Sequence, residues 1–212
     1  MNRPDLRAEV LETLHQEYPE LRFEIEGDVA KVRGVFPVAD ETGVLDRFAI
    51  EMVFPPDYPD SLPIIRETGK RIPWCLDRHV NAIGETCVLV PEEWFVLTPD
   101  QSFRAFMGGP VRNYFLGQAL VEIGQPWPFG ERSHGTAGVL EAYSELLGFD
   151  DTRQMRTALS YLSHDNIKGH WRCPCGNGSI LRRCHVAEVR ALQGRIAPRI
   201  ARMMIKRLSP GV

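Results

Sequence analysis

A proline-rich stretch in the first third of the chain decides the fold: Phe54-Pro55-Pro56-Asp57-Tyr58-Pro59-Asp60-Ser61-Leu62-Pro63. Proline has no amide hydrogen to donate to a strand ladder, so this stretch ends the run of residues before it. Three strand-like runs lie upstream, at residues 21–25, 29–36 and 47–54, and a fourth covers 63–67. Turn residues separate the first three runs, and the first connection is as short as a hairpin turn. The pattern predicts an antiparallel meander.

Helical patterns flank this meander on both sides. Residues 3–18 carry apolar side chains at helical spacing, and residues 70–99 show no clean periodicity. Thr98-Pro99 is predicted to open a helix that runs to about residue 115, with Thr98 as its N-cap. Later helices are predicted at 139–147, 151–166 and 186–208. This order is typical of the α+β class, and we predict two domains, residues 1–150 and 151–212.

Composition narrows the classes of function. The 212 residues include 43% hydrophobic ones and have a net charge of −3, which argues against a general affinity for nucleic acid or membrane. The N-terminus is amphipathic, without a signal peptide or membrane span, so we expect a cytoplasmic protein with reduced thiols. The chain is strongly basic from Lys168 onward. That segment suits either an acidic partner or a solvated helix face.

The most informative cysteine is Cys87. It follows His79-Val80-Asn81 after a short loop in which Gly84 permits a tight turn. A cytosolic cysteine in such a loop either packs as a small apolar residue or works as a thiolate. An asparagine nearby can donate a hydrogen bond to the oxyanion that forms during acyl transfer. Cys87 is therefore the candidate nucleophile.

Four pieces in order resemble the ubiquitin-conjugating enzymes over roughly residues 5–148: the meander, the proline-rich stretch, the His79–Cys87 segment, and Trp94 followed by Thr98-Pro99. The resemblance implies that family's fold, with a thioester on Cys87, an oxyanion stabilised by Asn81, and a loop held by His79. Val80 stands where the family has proline, which is closer to the bacterial branch.

Bacterial members of this family occur in anti-phage systems. By resemblance, the acyl donor is a protein with a glycine-type C-terminus, either a ubiquitin-like protein or a nucleotidyltransferase that makes cyclic oligonucleotides. An activating enzyme is a further expected partner. The alternative is an inactive module of the same fold that binds a partner through its C-terminal motif.

Two more residues have ambiguous roles. Cys75 is expected to pack or lie at an edge near Trp74, and a second reactive thiol is the alternative. The resemblance also draws attention to residues 131–134, which precede Tyr143 by about ten positions. His134 has a side chain suited to general base catalysis, and the alternative is a loop histidine that caps a helix.

The C-terminal cysteines form a separate pattern, Cys173-Pro174-Cys175-Gly176 followed by Cys184-His185. Three thiolates and one imidazole complete a tetrahedral set for structural zinc, with no position left open for catalysis. The spacing resembles the SEC-C motif of bacterial proteins, which implies docking to a partner. A nucleic-acid-binding zinc knuckle is a third hypothesis, and the lack of aromatics interleaved in the basic tail argues against it.

Overall fold

The computed structural model describes residues 4–130 and 132–209. The chain forms two compact units: residues up to 91 together with 99–134, and residues 92–98 together with those from 135 onward. We call these the sheet unit and the helical unit. Arg3, the predicted start of the first helix, and Glu131 lie outside the described residues. The domain division predicted after residue 150 stays a prediction.

The sheet unit contains the predicted meander. Its strands are β1 (Leu21–Glu26), β2 (Val29–Asp40), β3 (Gly43–Val53) and β4 (Ile64–Glu67), paired antiparallel in the order β1-β2-β3-β4.

The hairpin between β2 and β3 extends further than the sequence predicts. The Asp40 carboxylate accepts a hydrogen bond from the Thr42 backbone at 2.7 Å, which closes a tight turn. The strand ladder therefore continues to the pair Asp40–Gly43.

Three α-helices lie in the described part of this unit. Helix α1 covers Pro4–Glu17, α3 covers Phe103–Phe106 and α4 covers Arg112–Glu122. A π-helical turn, Met107–Val111, joins α3 to α4 at the Gly-Gly-Pro sequence, so the helix continues through this point. The core forms where rings of the sheet meet α4: Phe115 lies 5.5 Å from Phe36 and 5.0 Å from Phe48 between ring centroids.

The predicted helix start at Thr98 is wrong. The Thr98 amide donates a hydrogen bond to the Trp94 carbonyl at 3.1 Å, so Thr98 ends the helix that covers Pro91–Leu97. The sequence did not predict that helix, because residues 70–99 show no clean periodicity. The next helix, α3, starts at Phe103, and the side chain of the preceding Ser102 accepts a hydrogen bond from the Ala105 amide at 3.1 Å. Ser102 is therefore the N-cap.

The helical unit consists of helices around a separate core. Residues 92–98 form most of α2 (Pro91–Leu97), and α5 (Thr136–Leu147), α6 (Thr152–Leu162), α7 (Val186–Arg195) and α8 (Pro198–Leu208) follow. The core side chains of α6 and α8 are fully or almost fully buried: Met155, Leu159, Leu162, Ile200 and Met204.

The single helix predicted for residues 186–208 is wrong, because it is broken into α7 and α8. Ile196 and Ala197 are extended, and Pro198 opens α8 at its first turn. Proline removes a backbone donor from a helix interior but fits the first turn without loss. Among residues 4–130 and 132–209, no helix has the length and apolar character needed to cross a membrane.

Candidate active site and candidate metal centre

The loop that carries Cys87 is closed by backbone hydrogen bonds. The Cys87 amide donates to the His79 carbonyl at 2.8 Å, and the Asn81 amide donates to the Glu85 carbonyl at 2.9 Å. The amide of Thr86, the residue before the cysteine, donates a hydrogen bond to the carbonyl of Ile65 in β4 at 2.9 Å. The loop is therefore fixed to the sheet edge while the Cys87 side chain stays exposed.

The side chain of Asn81 organises this loop from within. Its Oδ1 accepts hydrogen bonds from the Ile83 and Glu85 amides at 3.0 and 2.9 Å, and its Nδ2 donates to Glu85 Oε2 at 3.1 Å. Glu85 is itself paired with Arg66 of β4 at 2.7 Å. An amide nitrogen carries two hydrogens, and this contact with Glu85 uses one of them. The geometry therefore fixes the Asn81 amide within the same short loop as the thiol.

His79 links this loop to the other predicted residue, His134. The His79 backbone adopts the left-handed conformation, with φ 51°, which is uncommon for a residue other than glycine. The His79 ring lies 4.7 Å from Trp127 and 5.2 Å from His134 between centroids. His134 Nε2 lies 3.7 Å from the carboxylate of Asp77. The structure thus places His79, Asn81 and Cys87 in one loop and the His79 ring next to His134.

Helix α4 supports the His79 turn with two buried side chains. Gln118, fully buried, donates to the Arg78 carbonyl at 2.7 Å and accepts from Arg78 Nε at 2.6 Å. The Tyr114 hydroxyl donates to the same carbonyl at 3.1 Å, and burial raises its pKa so that the phenol keeps its proton. Sequence reasoning missed both residues. They lie about 40 positions from Arg78, and no local pattern relates them to the loop.

Trp74 and Gly84 pack against each other at the outer side of the loop. Gly84 has φ +79°, and a Cβ on it would lie 2.5 Å from the Trp74 ring. Trp74 nevertheless remains 63% exposed, and two other large apolar side chains nearby in the sequence, Leu76 and Ile83, are 57% and 63% exposed. Cys75 is also exposed. Cys75 therefore does not pack as a buried residue beside Trp74, whose indole covers Gly84, and the expected edge position stays a prediction.

The second candidate site is the cluster of Cys173, Cys175, Cys184 and His185 in the helical unit. Their ligand atoms all lie within 4.8 Å of one another. Cys173 Sγ is 3.1 Å from His185 Nδ1 and 3.3 Å from Cys175 Sγ, and Cys184 Sγ is 3.6 Å from Cys175 Sγ. Sulfur atoms on one tetrahedral zinc lie roughly 3.8 Å apart, given Zn–S bonds of about 2.3 Å. The cluster could therefore hold a metal ion and is compatible with zinc.

Local backbone geometry brings these four ligands together. Gly176 and Gly178 have φ of +76° and +82°, which turn the chain back after Cys175. The amide of Cys173 then donates to Ser179 at 2.9 Å, and Arg172 pairs with Ile180 in a short antiparallel bridge.

The two cysteines of the Cys-Pro-Cys pair have different electrostatic environments. Burial raises the pKa of Cys173, whereas a hydrogen bond from the Asn177 amide lowers that of Cys175. Metal ligation requires thiolates, so a bound cation would favour deprotonation of both.

Comparison with known proteins adds no relative: no family model matches the chain, and neither does any curated protein or solved structure.

Proposed function

We propose that the chain is an acyltransferase like the ubiquitin-conjugating enzymes, with Cys87 as the residue that carries the acyl group. The observation that carries this proposal is an exposed thiol on a rigid loop, with Asn81 fixed in the same loop and His79 and His134 adjacent to each other. The four-stranded meander with an N-terminal helix and helices after the loop agrees with that family's fold. No substrate-sized cavity is needed, because the acyl group arrives on the end of a protein.

The reaction has two balanced steps. The Cys87 thiolate attacks the activated C-terminal carbonyl of a donor protein, a thioester forms, and the activating group leaves with its electron pair. An amine then attacks the thioester carbon through a tetrahedral oxyanion, the Cys87 thiolate leaves, and the amine loses one proton. The Asn81 amide would donate to the oxyanion, and His134 beside Asp77 would accept the proton.

We also propose that Cys173, Cys175, Cys184 and His185 bind one structural zinc ion. Three sulfurs and one imidazole nitrogen fill a tetrahedral shell, so the metal has no open position for substrate. The zinc would tie α7, which starts at Val186, to the turn that follows Cys173.

The acyl-carrier proposal is tested by co-expressing the chain with the products of neighbouring genes and comparing reducing and non-reducing gels. We expect an adduct that disappears with reductant, is lost in Cys87→Ala and persists in Cys75→Ala, which removes the other exposed thiol of the sheet unit. Cys87→Ser should give an adduct that survives reductant, because an oxygen ester is less reactive. An adduct that is lost in Cys75→Ala and persists in Cys87→Ala would show that Cys75, and not Cys87, carries the acyl group. The absence of an adduct in every form of the chain would favour the inactive binding module.

Asn81→Ala separates loading of the thiol from transfer. If Asn81 supplies one oxyanion donor, we expect loading to persist and transfer to an added amine to slow by roughly ten- to a thousand-fold. The measurement is the decay of the preformed adduct after the amine is added. Glu85→Gln is the matched control, because it weakens the loop contact of Asn81 but keeps the amide. Equal slowing in both variants would assign Asn81 a purely structural role.

A further inference from the structure

We propose that the helical unit binds the phosphodiester backbone of a nucleic acid, a property independent of the acyl-carrier function. The first observation is a charge asymmetry that the net charge conceals. Residues 1–150 contain 13 Lys and Arg against 25 Asp and Glu, whereas residues 151–212 contain 12 against 3. Residues 1–150 and 151–212 thus have net charges of −12 and +9, and the helical unit as a whole, which also contains Glu92, Glu93, Glu141, Glu145 and Asp150, has a net charge of +4.

The positive charge lies on the surface. Between residues 168 and 207 every basic side chain is exposed: Lys168, Arg172, Arg182, Arg183, Arg190, Arg195, Arg199, Arg202, Lys206 and Arg207. Eight of these ten are arginines, whose planar guanidinium groups form paired hydrogen bonds to phosphate oxygens.

Helix α8 arranges part of this charge in a row. Arg199, Arg202 and Lys206 are three and four residues apart, so they share one face of the helix, with spacings of roughly 4.5 and 6 Å along its axis. That spacing is close to the separation of phosphates along one nucleic acid strand. The opposite face of α8 is buried through Ile200 and Met204. This helix therefore has no apolar face with which to enter a membrane.

The turn around the metal cluster adds cations and aromatic rings. The Arg182 amide donates to Gly169 at 2.9 Å, and that of Leu181 to Trp171 at 2.7 Å, which brings Arg182 beside the segment that contains Lys168. Trp171 is half-buried and lies 4.7 Å from Tyr161 and 5.6 Å from His164 between ring centroids.

The turn and α8 approach each other at the end of α6. Arg202 of α8 donates to the Ser163 carbonyl at 3.1 Å, next to His164, whose ring meets Trp171. The fold therefore brings Arg202 of α8 near the aromatic residues at the end of α6 and in the turn. Aromatic rings of this kind can stack on bases while the cations contact phosphates.

The composition of this surface distinguishes a nucleic acid from an acidic protein as the partner. Stable protein interfaces contain buried apolar anchors, whereas nucleic acid interfaces are polar and positively charged. Among described residues 151–209, no large hydrophobic side chain is exposed. The large exposed ones lie in the sheet unit, apart from Leu97.

The test measures fluorescence anisotropy of labelled single-stranded RNA, single-stranded DNA and duplex DNA with the full zinc-loaded chain. Poly-glutamate serves as the competing polyanion. We expect dissociation constants of roughly 1–100 μM near physiological salt, with affinity falling steeply as salt rises. The RNA and DNA arms identify which nucleic acid binds best. Absence of binding to all three at low salt would overturn the proposal, and so would competition by poly-glutamate as effective as that by unlabelled nucleic acid.

Matched variants locate the surface. Replacing Arg182, Arg199 and Arg202 together by Gln should weaken binding by a factor of about ten or more. The slope of log affinity against log salt concentration should also become shallower by about 2 for a single strand. Replacing the same three by Lys should retain binding within about threefold, which also shows that the positions tolerate substitution. Replacing Arg7, Arg22 and Arg47, three exposed arginines of the sheet unit, by Gln removes the same charge and should leave binding unchanged. Equal loss in both Gln triples would refute this assignment.

Discussion

The cysteine loop and the metal cluster are built in opposite ways. The four candidate metal ligands lie within 13 consecutive residues, and the turns between them rely on two glycines. The Cys87 loop instead depends on distant segments: β4 holds Thr86, and Gln118 of α4 holds the turn at Arg78. The geometry of a site with local contacts depends on the spacing of its residues in the sequence. The geometry of a site with remote contacts depends on the whole fold. The two should therefore respond differently to substitution.

Metal removal should produce the largest difference between the two sites. Zinc binding by short zinc-dependent peptides is worth roughly 10–16 kcal/mol, and much of it stabilises the fold. Cys184→Ser should therefore release the ion and expose the amides of residues 169–185 to hydrogen exchange, while the Cys87 adduct still forms. Cys75→Ser is the matched control and should keep one zinc per chain by elemental analysis. Full zinc content in Cys184→Ser would refute the proposed ligand set.

A substitution in α4 should produce the converse pattern, with a smaller effect. Gln118→Ala leaves the partly buried Arg78 carbonyl and guanidinium without two of their contacts, so we expect a loss of roughly 2–3 kcal/mol in the free energy of unfolding. Adduct formation at Cys87 should weaken, while zinc content stays constant. Gln16→Ala, at an exposed position of α1, should cost less than about 0.5 kcal/mol. A Gln118 variant as stable as the Gln16 variant would show that the α4 contacts do not hold the loop.

The smallest expected effect concerns Gly84. In Gly84→Ala, the left-handed backbone conformation should lower the free energy of unfolding by roughly 1–2 kcal/mol, and the added Cβ would also collide with the Trp74 ring. Gly27→Ala is the matched control, because Gly27 has φ +60° and open space around it. The difference between the two variants in denaturant unfolding isolates the contribution of Trp74. Equal losses in both would mean that the indole moves away without cost.

The comparison also explains which features the sequence could predict. Strand-like runs separated by turn residues predicted the meander, because these patterns are local. The spacing of the cysteines and histidine predicted the cluster that could hold a metal. The break before α8 could have been read from Pro198, which a long basic and apolar pattern obscured. Gln118 and Tyr114 could not be predicted, because their role depends on α4 packing beside the loop.

The α+β class is as predicted, and it has a physical basis in both units. Proline-rich residues 54–63 end the meander, and the rings of Phe36, Phe48 and Phe115 provide the core on which α4 packs. The helix boundaries were less predictable. Thr98 and Ser102 both have side chains suited to capping, and only the contacts around them decide which one begins a helix.

The central claim is that Cys87 carries an acyl group. The most direct measurement is peptide mapping by mass spectrometry of the chain isolated without reductant from cells that express its neighbouring genes. We predict a donor C-terminus on the peptide that contains Cys87, removed by reductant and by hydroxylamine, with Cys75 unmodified. An acyl group mapped to Cys75, or an adduct that persists in Cys87→Ala, would contradict the account.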